Sequence, residues 1–130
     1  MKRRAYNKKM DYRAFALGAG KDEGLTEDLL HAMVACIEVE SGYNPHAIHL
    51  NITQTGMVDS IDFGIVQVND FFHIGAGLEF PTPKYVLNHP QECIRWMAKM
   101  FKAGKANLWS SYASGEYQSH LPKVVNPPKK

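Results

Sequence analysis

Thr26-Glu27-Asp28-Leu29-Leu30-His31-Ala32-Met33-Val34-Ala35-Cys36-Ile37-Glu38-Val39-Glu40-Ser41-Gly42-Tyr43-Asn44-Pro45 is the stretch on which the fold turns. Thr26 is placed to cap a helix, and Glu27 and Asp28 fall in a first turn whose exposed amides favour negative charge. Leu29, Leu30, Met33, Val34, Cys36 and Ile37 then recur with helical periodicity. The run is so apolar that this helix is expected to be the central, buried one. Gly42 can adopt the left-handed cap and Pro45 resists continuation, so the helix should stop near Gly42. Glu40 therefore falls in the last turn. The carbonyl end of a helix disfavours a negative charge and pushes a carboxyl toward its protonated form.

On the N-terminal side, Asp11 to Ala19 predicts a short helix bearing Tyr12, Phe15 and Ala16, ended by Gly18 and Gly20, and Lys21 to Gly24 reads as a turn. On the other side, His46 to Asp62 is polar and reads as an irregular segment or weak hairpin lining a surface. Phe63 to Asn69 is either a short strand or the start of a helix, and Gly64 marks a close approach of backbone, with a ligand as one candidate neighbour. Gly75, Gly77, Pro81 and Pro83 make the next stretch loop-like. A helix should run from Pro90 to Ala103 with Ile94, Met97, Ala98 and Phe101 inward, and another short one from Asn107 to Ser114. The fold class is thus mainly α (α+β): one domain over residues 11–125 with a small irregular or β-containing insertion. Residues 1–10 read as a basic flexible N-terminus and 126–130 as a flexible tail.

A chain of 130 residues supports one compact core and little more. The formal net charge of +2 conceals an uneven distribution. Lys2, Arg3, Arg4, Lys8 and Lys9 crowd the start, Lys123, Lys129 and Lys130 the end, and the body between is acidic. A nucleic-acid binder would carry its basic residues as a stripe on the folded part, so nucleic acid is not the expected partner. No apolar stretch has signal-peptide or membrane-span length, which points to delivery by lysis, by a virion, or by a signal removed beforehand. Cys36 and Cys93 are compatible with one disulfide or with two buried thiols. The six histidines show no convincing metal-ligand spacing, and neither metal nor cofactor is expected.

Chemistry is concentrated around Glu40. Breaking a glycosidic bond requires protonation of the leaving oxygen by a carboxylic acid that stays protonated near working pH. Glu40 meets that need, since it follows an apolar helix and precedes a polar stretch able to form a cleft. Glu38, two residues away, points to another side of the helix. A second carboxylate must come from elsewhere: Asp62, which a hairpin would bring across from Glu40, or Asp59. Capping a turn is as good an explanation of Asp62 as chemistry.

Glu40-Ser41-Gly42-Tyr43-Asn44-Pro45-His46-Ala47-Ile48, followed by Asp62-Phe63-Gly64-Ile65-Val66-Gln67-Val68-Asn69 and then by Trp109-Ser110-Ser111-Tyr112-Ala113-Ser114-Gly115, resembles the signature of the lysozyme-like superfamily. The resemblance is greatest to the soluble lytic transglycosylase group, including small members of secretion and conjugation systems and of phages, and covers about residues 12–125. It implies a lysozyme-like domain whose insertion lies beside a cleft. Glu40 would be general acid and then base, Ser41 would hold its carboxyl or the substrate, and Gln67 would touch sugar. Tyr112 would hydrogen-bond near the acid, and Asn69 would support the cleft. Apart from the resemblance, Trp109 reads as packing against the domain, with stacking on a sugar as the alternative. The implied substrate is the β-1,4-linked glycan strand of peptidoglycan, cleaved by a monomer at the cell wall or periplasm to leave 1,6-anhydromuramyl ends. Asp62 before an aromatic residue and Gly also resembles the second carboxylate of hydrolytic muramidases. Hydrolysis with Glu40 and Asp62 is therefore the alternative, and a silent glycan-binding or virion structural protein a third.

Overall fold

The computed structural model describes residues 10–125. The flexible ends expected over 1–10 and 126–130 lie outside the described residues, apart from Met10. The described chain is a small α+β domain, mostly helical, with one three-stranded sheet.

Helix α2, Glu27–Ser41, is the axis of the core, as its sequence predicts. Thr26 Oγ1 accepts from Leu29 N at 3.3 Å, and Gly42 closes the other end at φ 61° with its N–H on Glu38 O. Met33, Val34, Ala35, Cys36 and Ile37 are fully buried, because helices lie on several of its sides. One is α1, Tyr12–Asp22, capped by Asp11, whose Oδ1 accepts from Ala14 N at 3.0 Å. The expected stop at Gly18 and Gly20 is not observed, and α1 runs through both. Gly20 is a packing residue: a Cβ there would overlap Leu30 Cδ1 and come 3.3 Å from Leu25 Cδ1. The helix tolerates this glycine because α2 needs the space.

Between Gly42 and Pro90 the polar stretch forms β1, Ile48–Ile52, and β2, Val58–Phe63, an antiparallel hairpin extended by β3, Val68–Asn69. His49 pairs with Asp62 and Asn51 with Ser60 on one face; Ile48 pairs with Phe63 and Leu50 with Ile61 on the other. A bulge between Asn51 and Ile52 leaves Asp59 as the extra residue of β2. Gly64 to Gln67 is a turn rather than the strand or helix start expected there. At φ 84°, Gly64 approaches protein and not ligand, since a Cβ would lie 3.0 Å from Val86 Cγ1.

Helices α3, Asp70–His73, and α4, Pro83–Asn88, follow. The proline-rich segment expected to be a loop thus includes a helix, with Thr82 Oγ1 accepting from Tyr85 N and Pro83 in the first turn, where its missing N–H costs nothing. Helix α5, Pro90–Lys102, buries Cys93, Ile94, Met97, Ala98 and Phe101 against the core, close to the predicted boundaries. The predicted last helix divides into a 3₁₀ turn, Ala106–Leu108, and α6, Ser110–Ala113. A second 3₁₀ turn, Glu116–His120, and α7, Leu121–Val125, complete the described chain. No helix among the described residues is long and apolar enough to cross a membrane.

Candidate functional site

The last turn of α2 delivers Glu40 to a cleft of about 900 Å³ between the polar face of the sheet and the α5–α6 side of the domain. Asn51, Ser60, Asp62 and Asn69 form the polar wall, with Asp59 at the bulge. Phe72, Trp96, Leu108 and Trp109 form the apolar wall. A mostly apolar concavity with a few convergent polar groups is the usual form of a small-ligand site.

Ser111 Oγ donates to Glu40 Oε2 at 2.5 Å. Ser111 is 1% exposed, the one buried polar residue among the described residues of an otherwise apolar core. Burial is the largest influence on Glu40 and raises its pKa above the ordinary carboxylate value. Hydrogen bonding from Ser111 acts the other way, and the charges of Asp62 and Glu116 add to the rise. The direction agrees with the expectation from sequence, but the main cause is desolvation and not the helix end.

Asp62 lines the same cleft, so the hairpin does bring a second carboxylate to the site of Glu40. Its oxygens are held from two sides: Asn51 Nδ2 donates to Oδ2 at 3.2 Å, and Asn69 Nδ2 to Oδ1 at 2.9 Å. Both amides also donate to Ser60 Oγ, at 3.1 and 3.0 Å. The four side chains form one network that spans β1, β2 and β3. Asn69 Oδ1 accepts from Phe71 N and Phe72 N, so the residue that orients Asp62 also caps α3 and carries Phe72 to the rim. Asp59 lines the cleft as well, with no such support among the described residues.

The other predicted residues divide. Gln67 faces the cleft, but from a left-handed turn position at φ 58° rather than a strand. Its Nε2 is committed to Gly64 O at 2.8 Å and Ala47 O at 3.2 Å. Ser41 is not in the cleft and does not hold Glu40: its hydroxyl donates to Ile65 O at 2.6 Å and accepts from Tyr43 N at 3.1 Å. It fastens the turn after α2 to the turn after β2. Tyr112 likewise lies away from the cleft, stacked on Tyr117 at 5.1 Å and edge-on to Phe101 at 5.5 Å. Its neighbour Ser111 makes the contact to the acid. The one signal of this in the sequence is a small polar residue between the aromatics of the third element.

Trp109 both packs against the domain and reaches the cleft. It is 5% exposed with Nε1 donating to Val66 O at 2.8 Å, and one edge lines the cavity. Trp96 packs against it at 5.4 Å. Glu38 points elsewhere, as predicted, to Arg13 at 3.2 Å and Lys123 at 3.1 Å. Cys36 and Cys93 are unbridged and buried, and burial raises each thiol to about 12, so neither is a ready nucleophile. Among the described residues no three His, Cys, Asp or Glu side chains converge as a metal site. The chain matches no known protein-family model, and comparison with curated proteins gives no match.

Proposed function

We propose that this protein is a lysozyme-like enzyme that cleaves the β-1,4 bond between N-acetylmuramic acid and N-acetylglucosamine in peptidoglycan, with Glu40 as general acid and then base. One observation carries the reading: a carboxyl that burial keeps toward its protonated form shares a cleft with a second carboxylate held by two amide donors. Two carboxyl groups in such unlike surroundings are suited to different tasks, proton donation for one and stabilisation of positive charge for the other. Glu40 gives its proton to the leaving oxygen as the bond to the anomeric carbon breaks. The resulting carboxylate then takes a proton from whichever hydroxyl attacks that carbon.

The attacking group decides the product. In the lytic transglycosylase reading, which rests on the sequence resemblance, the muramyl 6-hydroxyl attacks and leaves a 1,6-anhydro end. In the muramidase reading, favoured by the placement of Asp62, water is consumed and a reducing end results. The site of action is the bacterial cell wall, reached through a virion, a lysis system or a secretion assembly.

Digestion of purified peptidoglycan, followed by mass spectrometry of the soluble fragments, tests both. Anhydro ends lie about 18 mass units, one water, below hydrated ones. Release of neither product, or full activity in Glu40→Gln, would refute the proposal.

A further inference from the structure

The cleft does not end at Leu108. A second cavity of about 530 Å³ lies beyond it, and His73, Glu79 and Leu108 line both, so the two share a wall. Met100, Lys105 and Asn107 complete the second cavity, whose volume is within the range of small-ligand sites.

The two cavities differ in charge. Among the described residues that line the main cleft, Glu40, Asp59, Asp62 and Glu79 are acidic and none is Lys or Arg. The second cavity holds a cation, Lys105. Its neighbours along α5 are engaged elsewhere: Lys99 Nζ donates to Glu23 Oε2 at 2.8 Å, and Lys102 Nζ to Gly24 O at 3.2 Å. Lys105 has no ion-pair partner among the described residues. Glu79, the acid common to both cavities, is held by His73 Nδ1 at 3.1 Å. The backbone of Lys105 is fixed. Gly104 turns the chain after α5 at φ 82° with its N–H on Phe101 O at 3.1 Å, and Lys105 N donates to Met100 O at 2.9 Å. Lys105 O in turn accepts from Leu108 N at 3.1 Å, which ties the cation to the residue at the junction of the two cavities.

Peptidoglycan has the same division of charge. Its N-acetylated glycan strand is neutral where the lactyl carboxyl of muramic acid is amide-bonded to the stem peptide, and the free carboxylates belong to that peptide. A cleft lined by carboxyls admits the neutral strand and repels the acidic peptide, whereas an unpaired lysine attracts it. We infer that the cavity beyond Leu108 binds the acidic stem peptide of the strand in the cleft, with Lys105 as partner of a peptide carboxylate and Met100 and Leu108 as its apolar contacts. The inference rests on the substrate proposed above, and makes this end of the cleft a reader of stem-peptide charge.

Soluble, uncross-linked glycan strands with acetylated stem-peptide amines test it, in the carboxylate form and after conversion to amides with carbodiimide and ammonium. The chain's two tryptophans, Trp96 and Trp109, line the main cleft, so their fluorescence reports binding whether or not cleavage follows. The wild type should bind the carboxylate form more tightly by a few-fold, up to about fivefold for one solvent-exposed pair. That preference should shrink with added salt and appear in KM with kcat unchanged. Lys105→Gln, at an exposed position that leaves the core intact, should lose the preference, and Lys105→Glu should favour the amide form. Equal binding of both forms by the wild type, or a preference that survives in Lys105→Gln, would overturn the inference and leave glycan cleavage standing. The expected preference without release of fragments would refute the proposed activity and leave the peptide site standing. Failure of both forms to bind would overturn both.

Discussion

Replacing Ser111 by Ala removes one hydroxyl from a site that is 1% exposed and leaves Glu40 Oε2 without its 2.5 Å donor. The cost depends on the charge of Glu40. Against an ionised carboxylate the hydrogen bond is worth about 1.5–3 kcal/mol, and against a neutral carboxyl about 0.5–1.5 kcal/mol. Urea unfolding of both proteins, below pH 4.5, the ordinary value for this group, and again in mildly alkaline buffer, should therefore give a stability difference that grows with pH. Because the Ser111 hydrogen bond acts to lower the Glu40 pKa, its loss should also move the Glu40 limb of the pH–activity profile to higher pH. A merely structural serine would cost the same at both pH values and leave the profile in place. That result, or a loss under about 0.5 kcal/mol at alkaline pH, would refute the assignment of Ser111 as the group that positions and tunes the acid.

Glu40→Gln should lower activity on peptidoglycan by about a hundredfold or more, the ordinary contribution of a positioned acid. The same variant should gain stability relative to the wild type with rising pH. A raised carboxyl pKa gives stability that is present below the unfolded value and lost as pH rises through the folded one, so the variant's melting temperature should exceed the wild type's above that range and not below it. Asp62→Asn sets an amide against the donors of Asn51 and Asn69, at about 1 kcal/mol for these part-buried hydrogen bonds, and removes a charge that raises the Glu40 pKa. The Glu40 limb of its pH profile should move down, and turnover should collapse in the muramidase reading. Gly20→Ala forces a methyl into Leu30 and should cost about 1–3 kcal/mol by chemical denaturation, with the cleft unaffected.

The parts of the fold readable in the sequence are those set by local chemistry. The Thr26 cap, the Gly42 stop and the apolar runs of α2 and α5 depend on backbone groups and solvent within a few residues, and these elements fall where expected. Features decided at a distance escape such a reading. Gly20 reads as a helix breaker until Leu30 of α2 is placed against it. Pro83 is a different case, because the Thr82 cap that starts α4 is local and the prolines and glycines around it masked that signal. The Val66-Gln67-Val68 alternation imitates a strand, although Gln67 stands at positive φ because its amide grips two carbonyls across a turn.

The candidate site divides along the same line. Glu40 and Asp62 were legible as residues because each has a local oddity, a carboxyl closing an apolar helix and an acid beside an aromatic residue and glycine. Their relation was not legible, since it is made by the hairpin register. Asp62 pairs with His49 on one side and Asn69 on the other, which puts Asn51, Ser60 and Asn69 on the face that Asp62 shares. A slip of one residue in that register would turn Asp62 to the apolar side and Ile61 into the cleft. The bulge at Asn51 and Ile52 absorbs the extra residue and keeps the polar and apolar sets apart. The same register that assembles a two-carboxylate cleft on one side therefore leaves an uncharged, apolar face on the other. Any change that re-registers β1 against β2 should disturb the chemistry and the surface together, whereas changes confined to one face should separate them.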